Sequence, residues 1–515
     1  MNLFHNLEKH ALGHPERTAI IARHTRISYG DLVARVNSLA TSMRRLGLKK
    51  GDRIGLLMPN CPEFIISFYA AMKLGIITVS LNVMFKSDEI NDIVNDAGPE
   101  ALIAHEQFLP LVAAIERVAQ RRMQVILVGK GTTSEGTMHS FDSLLESGIE
   151  NCQTIELSEA DEAVIAYTSG TTGFPKGVVH THHNILIHLQ GISAHLGFTS
   201  GDVILAALPF FQLVAFLIHP GVVFHVGGTL VTMEKFEPDG FLNAVKNEGV
   251  TFFAAVPTIY HMLHAASHEL EVDLSSVRFG ICAGSPLSLD LREQFERQFR
   301  FRIIHCYGMT EISLIAACED PSSPPKGISV GHVLPYIRLG IVRPDGSHPE
   351  HGEVGEIRIG AERALVRYWN APSETKESLR QGWFATGDMG RFDEEGHLYI
   401  VDRKKDMIIR GGFNVYPAEI ERVLAQDPRV QEVAVIGIPH ERLGEVPKAF
   451  VVLKEGATAT EEELLELSRN KLANFKALEE VAFVKAGFFP KNALGKIVKS
   501  ELRGALRMDL DSRHS

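Results

Sequence analysis

"AYTSGTTGFPKGVVHTHHN", residues 166–184, sets a run of small hydroxyl residues and glycines between two short apolar runs. The flanks, "EAVIAY" (162–167) and "GVVHT" (177–181), are rich in β-branched residues and read as strands, so the segment is strand–loop–strand. A Walker loop has the form G-x-x-x-x-G-K-[ST] and opens a helix whose N-terminus helps to bind phosphate. Here Lys176 follows Pro175, and Gly177 stands where the metal-binding hydroxyl would be. The stretch is therefore a phosphate loop of another kind. Gly170 and Gly173 keep it pliable, while Thr168, Ser169, Thr171 and Thr172 offer hydroxyl donors. Lys176 adds a mobile point charge. Such a loop can fold over a polyphosphate and move aside afterwards.

Upstream, short β-branched runs alternate with helical patterns. "DRIGLLM" (52–58) reads as a strand, "PEFIISFYAAMKLG" (62–75) as a helix stopped by glycine, and "IITVSLN" (76–82) as a strand. "PEALIAH" (99–105) and "RMQVILVG" (122–129) continue the series, which predicts a parallel sheet in an α/β domain. From about residue 330 to 400 the texture changes to short strands such as "RLGIV", "GEIRIG" and "HLYIV" divided by turns, including Pro344-Asp345-Gly346. That pattern predicts a small antiparallel, barrel-like β unit. The last ~110 residues read as a compact α+β module, with a helix at "AEIERVLAQDP", strands at "VQEVAVIGIP" and "PKAFVVLKE", and a charged amphipathic helix at "TEEELLELSRNKL".

The 515 residues suggest two to four domains at ~100–200 residues each. Fifty-two basic against 63 acidic side chains, net −11, argue against nucleic acid as a partner. Five cysteines without paired ligand spacing fit reduced thiols in a cytoplasmic protein. The N-terminus lacks the basic-then-apolar pattern of a signal peptide. Residues 203–233 carry no charged side chain, long enough on length alone to span a bilayer. Pro209, Pro220-Gly221 and Gly227-Gly228 break the run into pieces better suited to a buried core, so no integral membrane association is expected.

The opening loop resembles, residue for residue, the Tyr-Thr-Ser-Gly-Thr-Thr-Gly-x-Pro-Lys-Gly motif of the adenylate-forming (AMP-binding) acyl-CoA synthetases. "YGMTE" (307–311), "GWFATGD" (382–388), "VDRKKDMI" (401–408) and "NALGKI" (492–497) follow in that family's order. The resemblance covers essentially the whole chain. It implies an α/β protein whose large N-terminal domain, residues 1–403, holds two α/β sheet subdomains and the β-rich subdomain of about 330–400. A small mobile α+β domain, residues 404–515, follows it. It also implies ATP with Mg2+, and coenzyme A as co-substrate.

The same resemblance implies roles for particular residues. Thr168, Ser169, Gly170, Thr171, Thr172, Gly173 and Lys176 would surround the phosphates. Glu311 would hold Mg2+, with Thr310 donating to the α-phosphate. Tyr307 and Gly308 would lie against adenine, walled on the other side by Gly284, Ser285 and Pro286. Asp388 and Arg403 would bind the ribose. Lys496 would hold the substrate carboxylate and α-phosphate during adenylation, although "PKNALGK" departs from the commoner Pro-Arg-Thr-x-x-Gly-Lys. Lys405 would be the hinge of the small domain, and Gly411, Gly412 and Phe413 would line the coenzyme A channel.

For the acid, the family places the pocket at Phe211, Gln212, Val214, Ala215, Cys282, Ala283, Cys306, Met309 and Ser313. These are mainly apolar and favour a hydrophobic tail, medium- or long-chain fatty or aryl. A second carboxylate would need a cation, yet Cys306 replaces the arginine of malonyl-type ligases. No aspartate in 208–216 offers an anchor for an α-amino group. Gln212 stands where many fatty and aryl CoA ligases carry a histidine; it hydrogen bonds but does not titrate, and His305 could compensate. The expected acceptor is coenzyme A, with an acyl carrier protein as the alternative. Dimers are common among such proteins, and a homodimer is compatible with this chain.

Overall fold

The computed structural model describes the chain except residues 1, 24, 119–122, 132–137, 149–151, 169–174, 267–272, 286, 344–345, 348, 412, 441, 473, 493–494 and 505–515. The chain divides into two compact units. The first comprises Met1–Arg338 with Ile359–Phe384, and the second Leu339–Arg358 with Ala385–Ser515. The expected boundary at 403/404 differs from this division, because the β-rich segments group with the C-terminal residues.

Two α/β sheets build the first unit. In the eight-stranded sheet the order is Arg367–Tyr368, Lys176–Thr181, Glu162–Thr168, Ile77–Ser80, Arg53–Leu57, Ala101–His105, Gln124–Val128 and Met138–Ser140. The strands from Glu162–Thr168 to Met138–Ser140 pair in parallel, as the alternating pattern predicts. The crossover helix that follows Arg53–Leu57 is punctuated where the sequence predicts. The helix Pro62–Leu74 starts with proline in its first turn, where no N–H is needed, and stops at Gly75 with φ 65°. Leu81, Ile93, Leu102, Ile165 and Val179 pack into one of its cores.

The nine-stranded sheet runs His332–Val333, Ile315–Cys318, Arg302–Gly308, Phe279–Cys282, Phe252–Ala255, Val203–Ala206, Thr229–Thr232, Thr18–Ala22 and Thr25–Ser28. The uncharged run 203–233 lies within it as a strand, Val203–Ala206, then short helical pieces from Leu213 to Val226, then the strand Thr229–Thr232. Pro220 sits inside a π-helical turn, and Gly227 at φ 82° ends the last piece. Among the described residues no helix is long and apolar enough to cross a membrane.

One buried ion pair braces the edge of this sheet. Arg292, on the helix Leu289–Phe299, meets Glu319 at 2.7 Å, with the two side chains 4% and 5% exposed. The same guanidinium donates to the Ile303 carbonyl at 2.6 Å and to Glu296 at 3.0 Å. Glu319 in turn accepts from the His305 backbone N–H at 2.9 Å. Both charges are thus saturated with partners, which a buried pair requires.

In the second unit the strands Leu339–Val342, Gly355–Gly360, Trp383–Phe392 and Leu398–Arg403 form the β-rich layer, the last two antiparallel. A further sheet orders Phe413–Val415, Ile408–Arg410, Gly444–Leu453 and Val430–His440, with Glu480–Phe483 parallel to Gly444–Leu453. The strand Val430–His440 is two-faced. Val435 packs with Ile420, Leu424 and Leu464 of the covering helices, whereas Ala434 and Ile436 pack with Phe450, Phe489 and Leu502. Thr460 and Glu463 form a capping box at the start of the helix Glu461–Lys471.

Arg292→Ala leaves Glu319 buried without its cation and is expected to lower unfolding stability by about 3–5 kcal/mol. The readout is the denaturant midpoint of the first unit's transition. Combining Arg292→Met with Glu319→Leu should recover most of that loss.

Candidate active site

The strands Glu162–Thr168 and Lys176–Thr181 are antiparallel and close on the pair Thr168↔Lys176. Both ends of the loop expected to hold phosphates are therefore held by a sheet ladder. Ser169, Gly170, Thr171, Thr172 and Gly173 lie outside the described residues. Lys176 points along the face where Tyr368 lies, its Nζ 5.5 Å from the ring centroid. Tyr368 reaches this position because Arg367–Tyr368 pairs with Val178 and Val179. A Cβ on Gly177 would meet Ile165 at 2.8 Å and Trp369 at 3.0 Å, so glycine lets that edge strand approach. Burial, followed by the nearby Glu311 carboxylate, holds the Tyr368 phenol well above its ordinary pKa. Lys176, Tyr368 and Glu311 thus form one neighbourhood.

Glu311 and Thr310 sit on a 3-10 turn, Thr310–Ile312, directly after the strand Arg302–Gly308. Tyr307 at the end of that strand is 8% exposed. A Cβ at Gly308 would lie 2.0 Å from the Leu314 carbonyl oxygen, so the chain doubles back there on glycine alone. The turn is fastened from outside. The Leu365 N–H donates to the Glu311 carbonyl at 2.6 Å. His180, fully buried, lies 2.7 Å from the Thr310 carbonyl through Nε2 and 2.9 Å from the Ser313 hydroxyl through Nδ1. Burial lowers the His180 pKa to about 4, so the ring is neutral at pH 7. The carbonyl only accepts, so Nε2 carries the proton and Nδ1 accepts from Ser313.

Ala283, Gly284 and Ser285 follow the strand Phe279–Cys282, which runs parallel to and beside the Tyr307 strand. They lie at the carboxyl ends of parallel strands, the usual ligand edge of an open α/β sheet. Gly284 adopts φ 82°, and Pro286 lies outside the described residues.

Of the residues expected around the acid, Phe211, Gln212, Val214, Ala283 and Met309 are half-buried, and Ala215, Cys282 and Cys306 are buried. Gln212 occupies the N-cap of the short helix Leu213–Phe216. Ser313 belongs with the turn: its hydroxyl is committed to His180, and the residue takes a strained φ of 64°. His305 is also committed, its Nδ1 lying 3.2 Å from the Ser329 carbonyl. Its Nδ1 serves as a structural donor.

The second unit holds the remaining candidates. Asp388 and Arg403 face each other across the Trp383–Phe392 and Leu398–Arg403 strands, Arg403 Nε 2.6 Å from Asp388 Oδ1. Gly387 at φ 71° and the Thr386 hydroxyl, which accepts from the Asp388 N–H at 3.0 Å, aim the carboxylate. Lys405 is exposed in the turn that follows. Gly411 adopts φ 56°; Phe413 is 57% exposed and its ring stacks 4.9 Å from that of Phe475, while Gly412 lies outside the described residues.

Lys496 is set by a small closed loop. Asn492 N–H donates to the Lys496 carbonyl at 2.9 Å, the Lys496 N–H donates to Asn492 Oδ1 at 3.0 Å, and Lys491 bridges Ile497. Desolvation first, then repulsion from Arg403, brings the Lys496 pKa below the ordinary lysine value, with Asp388 opposing. The side chain keeps solvent on its surface, so crowding weakens its hydration without abolishing it. Lys496, Arg403 and Asp388 are therefore electrostatic neighbours.

The sequence pattern of the AMP-binding enzyme family matches residues 7–369, and that of the AMP-binding enzyme C-terminal domain matches residues 419–496. A long-chain-fatty-acid–CoA ligase of Mycobacterium tuberculosis is 35% identical over 483 residues, 93% of each chain. A feruloyl-CoA synthase of an Amycolatopsis species is 33% identical over 491 residues, 95% of this chain and 96% of the relative. An anthranilate CoA ligase solved with anthranoyl-AMP superposes with a TM-score of 0.90 at 27% identity, covering 98% of this chain and 97% of that one.

Gly308→Ala forces the new methyl against a backbone oxygen, a clash that costs about 1–3 kcal/mol. Calorimetric titration with Mg·ATP should show affinity reduced roughly tenfold or more. Wild-type affinity would mean that this strand end does not touch the nucleotide.

Proposed function

The chain belongs to the AMP-binding enzyme family as an AMP-forming acid–thiol ligase, and from that premise we propose that its acid is a hydrophobic carboxylate and its thiol coenzyme A. What supports the substrate class is the chemistry of the residues the family resemblance assigns to the acid. Phe211, Val214, Ala215, Cys282, Ala283, Cys306 and Met309 would offer it apolar surroundings, and Gln212 is neutral. A dicarboxylate or an amino acid would bring a second charge that this set leaves unpaired, at a cost of several kcal/mol. A fatty or aryl tail brings none.

The chemistry balances in two steps. A carboxylate oxygen attacks the α-phosphorus of ATP, the bond to the bridging oxygen breaks, and pyrophosphate leaves. The thiol sulfur then attacks the acyl carbonyl, the bond to AMP oxygen breaks, and the thiol proton passes to solvent. The first step brings an anion onto a polyanion, so cations and donors must surround the phosphates. Lys176 and the hydroxyl loop serve the outer phosphates, and Thr310 the α-phosphate. Tyr307, Gly284 and Ser285 flank adenine, and Asp388 with Arg403 takes the ribose hydroxyls.

Glu311 fits Mg2+ by donor chemistry, since this ion favours one or two carboxylates completed by substrate phosphates. No group of three or more acidic, histidine or cysteine side chains that could cage a metal occurs among the described residues. Bound there, Mg2+ would neutralise phosphate charge. Lys496 steadies the attacking carboxylate, and Lys405 is the pivot by which the C-terminal residues exchange Lys496 for Gly411–Phe413 in the thiol step.

The test is acid-dependent pyrophosphate release across aliphatic, aryl, dicarboxylic and amino acids, with thioester formation followed on coenzyme A and on an acyl carrier protein. Hydrophobic acids with coenzyme A should give the highest kcat/KM. Preference for the carrier protein would move the chain to the other acceptor class. Lys496→Ala should lower adenylate formation by at least ~100-fold and spare thioester formation from presynthesised acyl-adenylate. Lys405→Pro should adenylate normally and fail at thioester formation; normal thioester turnover would refute the pivot.

A further inference from the structure

His180 has no role in the chemistry above, yet it connects two of the elements that perform it. It lies on the strand Lys176–Thr181, four residues after Lys176, so both side chains leave the same face. Its ring is fully buried. Nε2 meets the carbonyl of Thr310, and Nδ1 meets the hydroxyl of Ser313, at 2.7 and 2.9 Å. One imidazole thus grips both ends of a four-residue segment that has Glu311 between them.

That segment needs holding. A single 3-10 turn has poor hydrogen-bond geometry and is among the weaker helical forms. Ser313 closes it at φ 64°, a conformation that non-glycine residues keep only when their surroundings impose it. The internal bond from the Ser313 N–H to the Thr310 carbonyl, 3.0 Å, leaves one lone pair on that oxygen, and His180 occupies it.

We propose that His180 is a positioning residue for adenylation, a clamp through which the Lys176 strand sets the place of Thr310 and Glu311. The inference rests on the proposed roles of Thr310 and Glu311 at the α-phosphate and Mg2+. It assigns His180 no proton transfer and no contact with substrate.

The experiment compares wild type, His180→Leu, His180→Gln and Ser313→Ala by calorimetric Mg·ATP binding and by acid-dependent ATP–pyrophosphate exchange at varied Mg2+. Glutamine carries an NH2 donor group and a carbonyl acceptor and can renew both bonds; leucine fills the space and renews neither. His180→Leu should weaken Mg·ATP binding and slow exchange at least tenfold, raise the Mg2+ needed for half-maximal rate, and leave the KM for the acid unchanged. His180→Gln should return to within about threefold of wild type. Ser313→Ala, which breaks one of the two bonds, should shift the same quantities in the same direction by less, and it stands in if His180→Leu does not fold.

Equal impairment in the leucine and glutamine variants would overturn the clamp, because the loss would then follow packing. Wild-type behaviour in His180→Leu would overturn it outright. A wild-type chain without acid-dependent exchange would retire the adenylation reading, and the clamp would be decided by the same order of variants in Mg·ATP binding.

Discussion

Burying a guanidinium and a carboxylate together is tolerable only when every donor and acceptor around them is used. Arg292 and Glu319 meet that condition at the edge of the nine-stranded sheet. They draw in Glu296, the Ile303 carbonyl and the His305 N–H. The last two lie on the strand that ends in Tyr307-Gly308, so its position is fixed along its length as well as by its neighbours. Whatever Tyr307, Thr310 and Glu311 do, they do from a strand end that cannot slide.

From that fixed end the first unit builds outward by short links. Gly308 allows the reversal, the 3-10 turn carries Thr310 and Glu311, and Leu365 and His180 tie the turn to the hairpin strand of Lys176. The chemistry demands such rigidity, since electrostatic stabilisation works when donors are already aimed before charge develops. The second unit handles its charges differently. Asp388 and Arg403 already neutralise one another at 2.6 Å, and Lys496 lies in their field. A ribose held there, as proposed, would exchange one set of hydrogen bonds for another, a substitution with little net desolvation cost.

Much of this was legible in the sequence where the signal is local. β-branched runs located six strands of the eight-stranded sheet, Gly75 ended its helix, and the prolines and glycines of 203–233 gave a core in place of a membrane span. The motifs named Lys176, Tyr307, Glu311, Asp388, Arg403 and Lys496. What stayed hidden depends on distant meetings. Tyr368 joins Lys176 and Glu311 only because a two-residue strand pairs with Val178 and Val179, far back in the chain. His180 reads as one of several histidines until the fold sets it against residues 130 positions later. Ser313 has a side chain suited to a pocket, and only its backbone conformation and partner reveal a different duty. The grouping of the β-rich segments with the C-terminal residues likewise depends on contacts that no local pattern encodes.

The crowding at Gly308 reaches beyond one molecule. With a backbone oxygen 2.0 Å from where any Cβ would sit, nearly every single-step amino-acid replacement at that spot is closed to a descendant lineage. Phe211, Val214 and Met309 are half-buried and meet no such backbone bar. Selection can therefore vary the residues proposed for the acid while the strand end at Gly308 stays frozen.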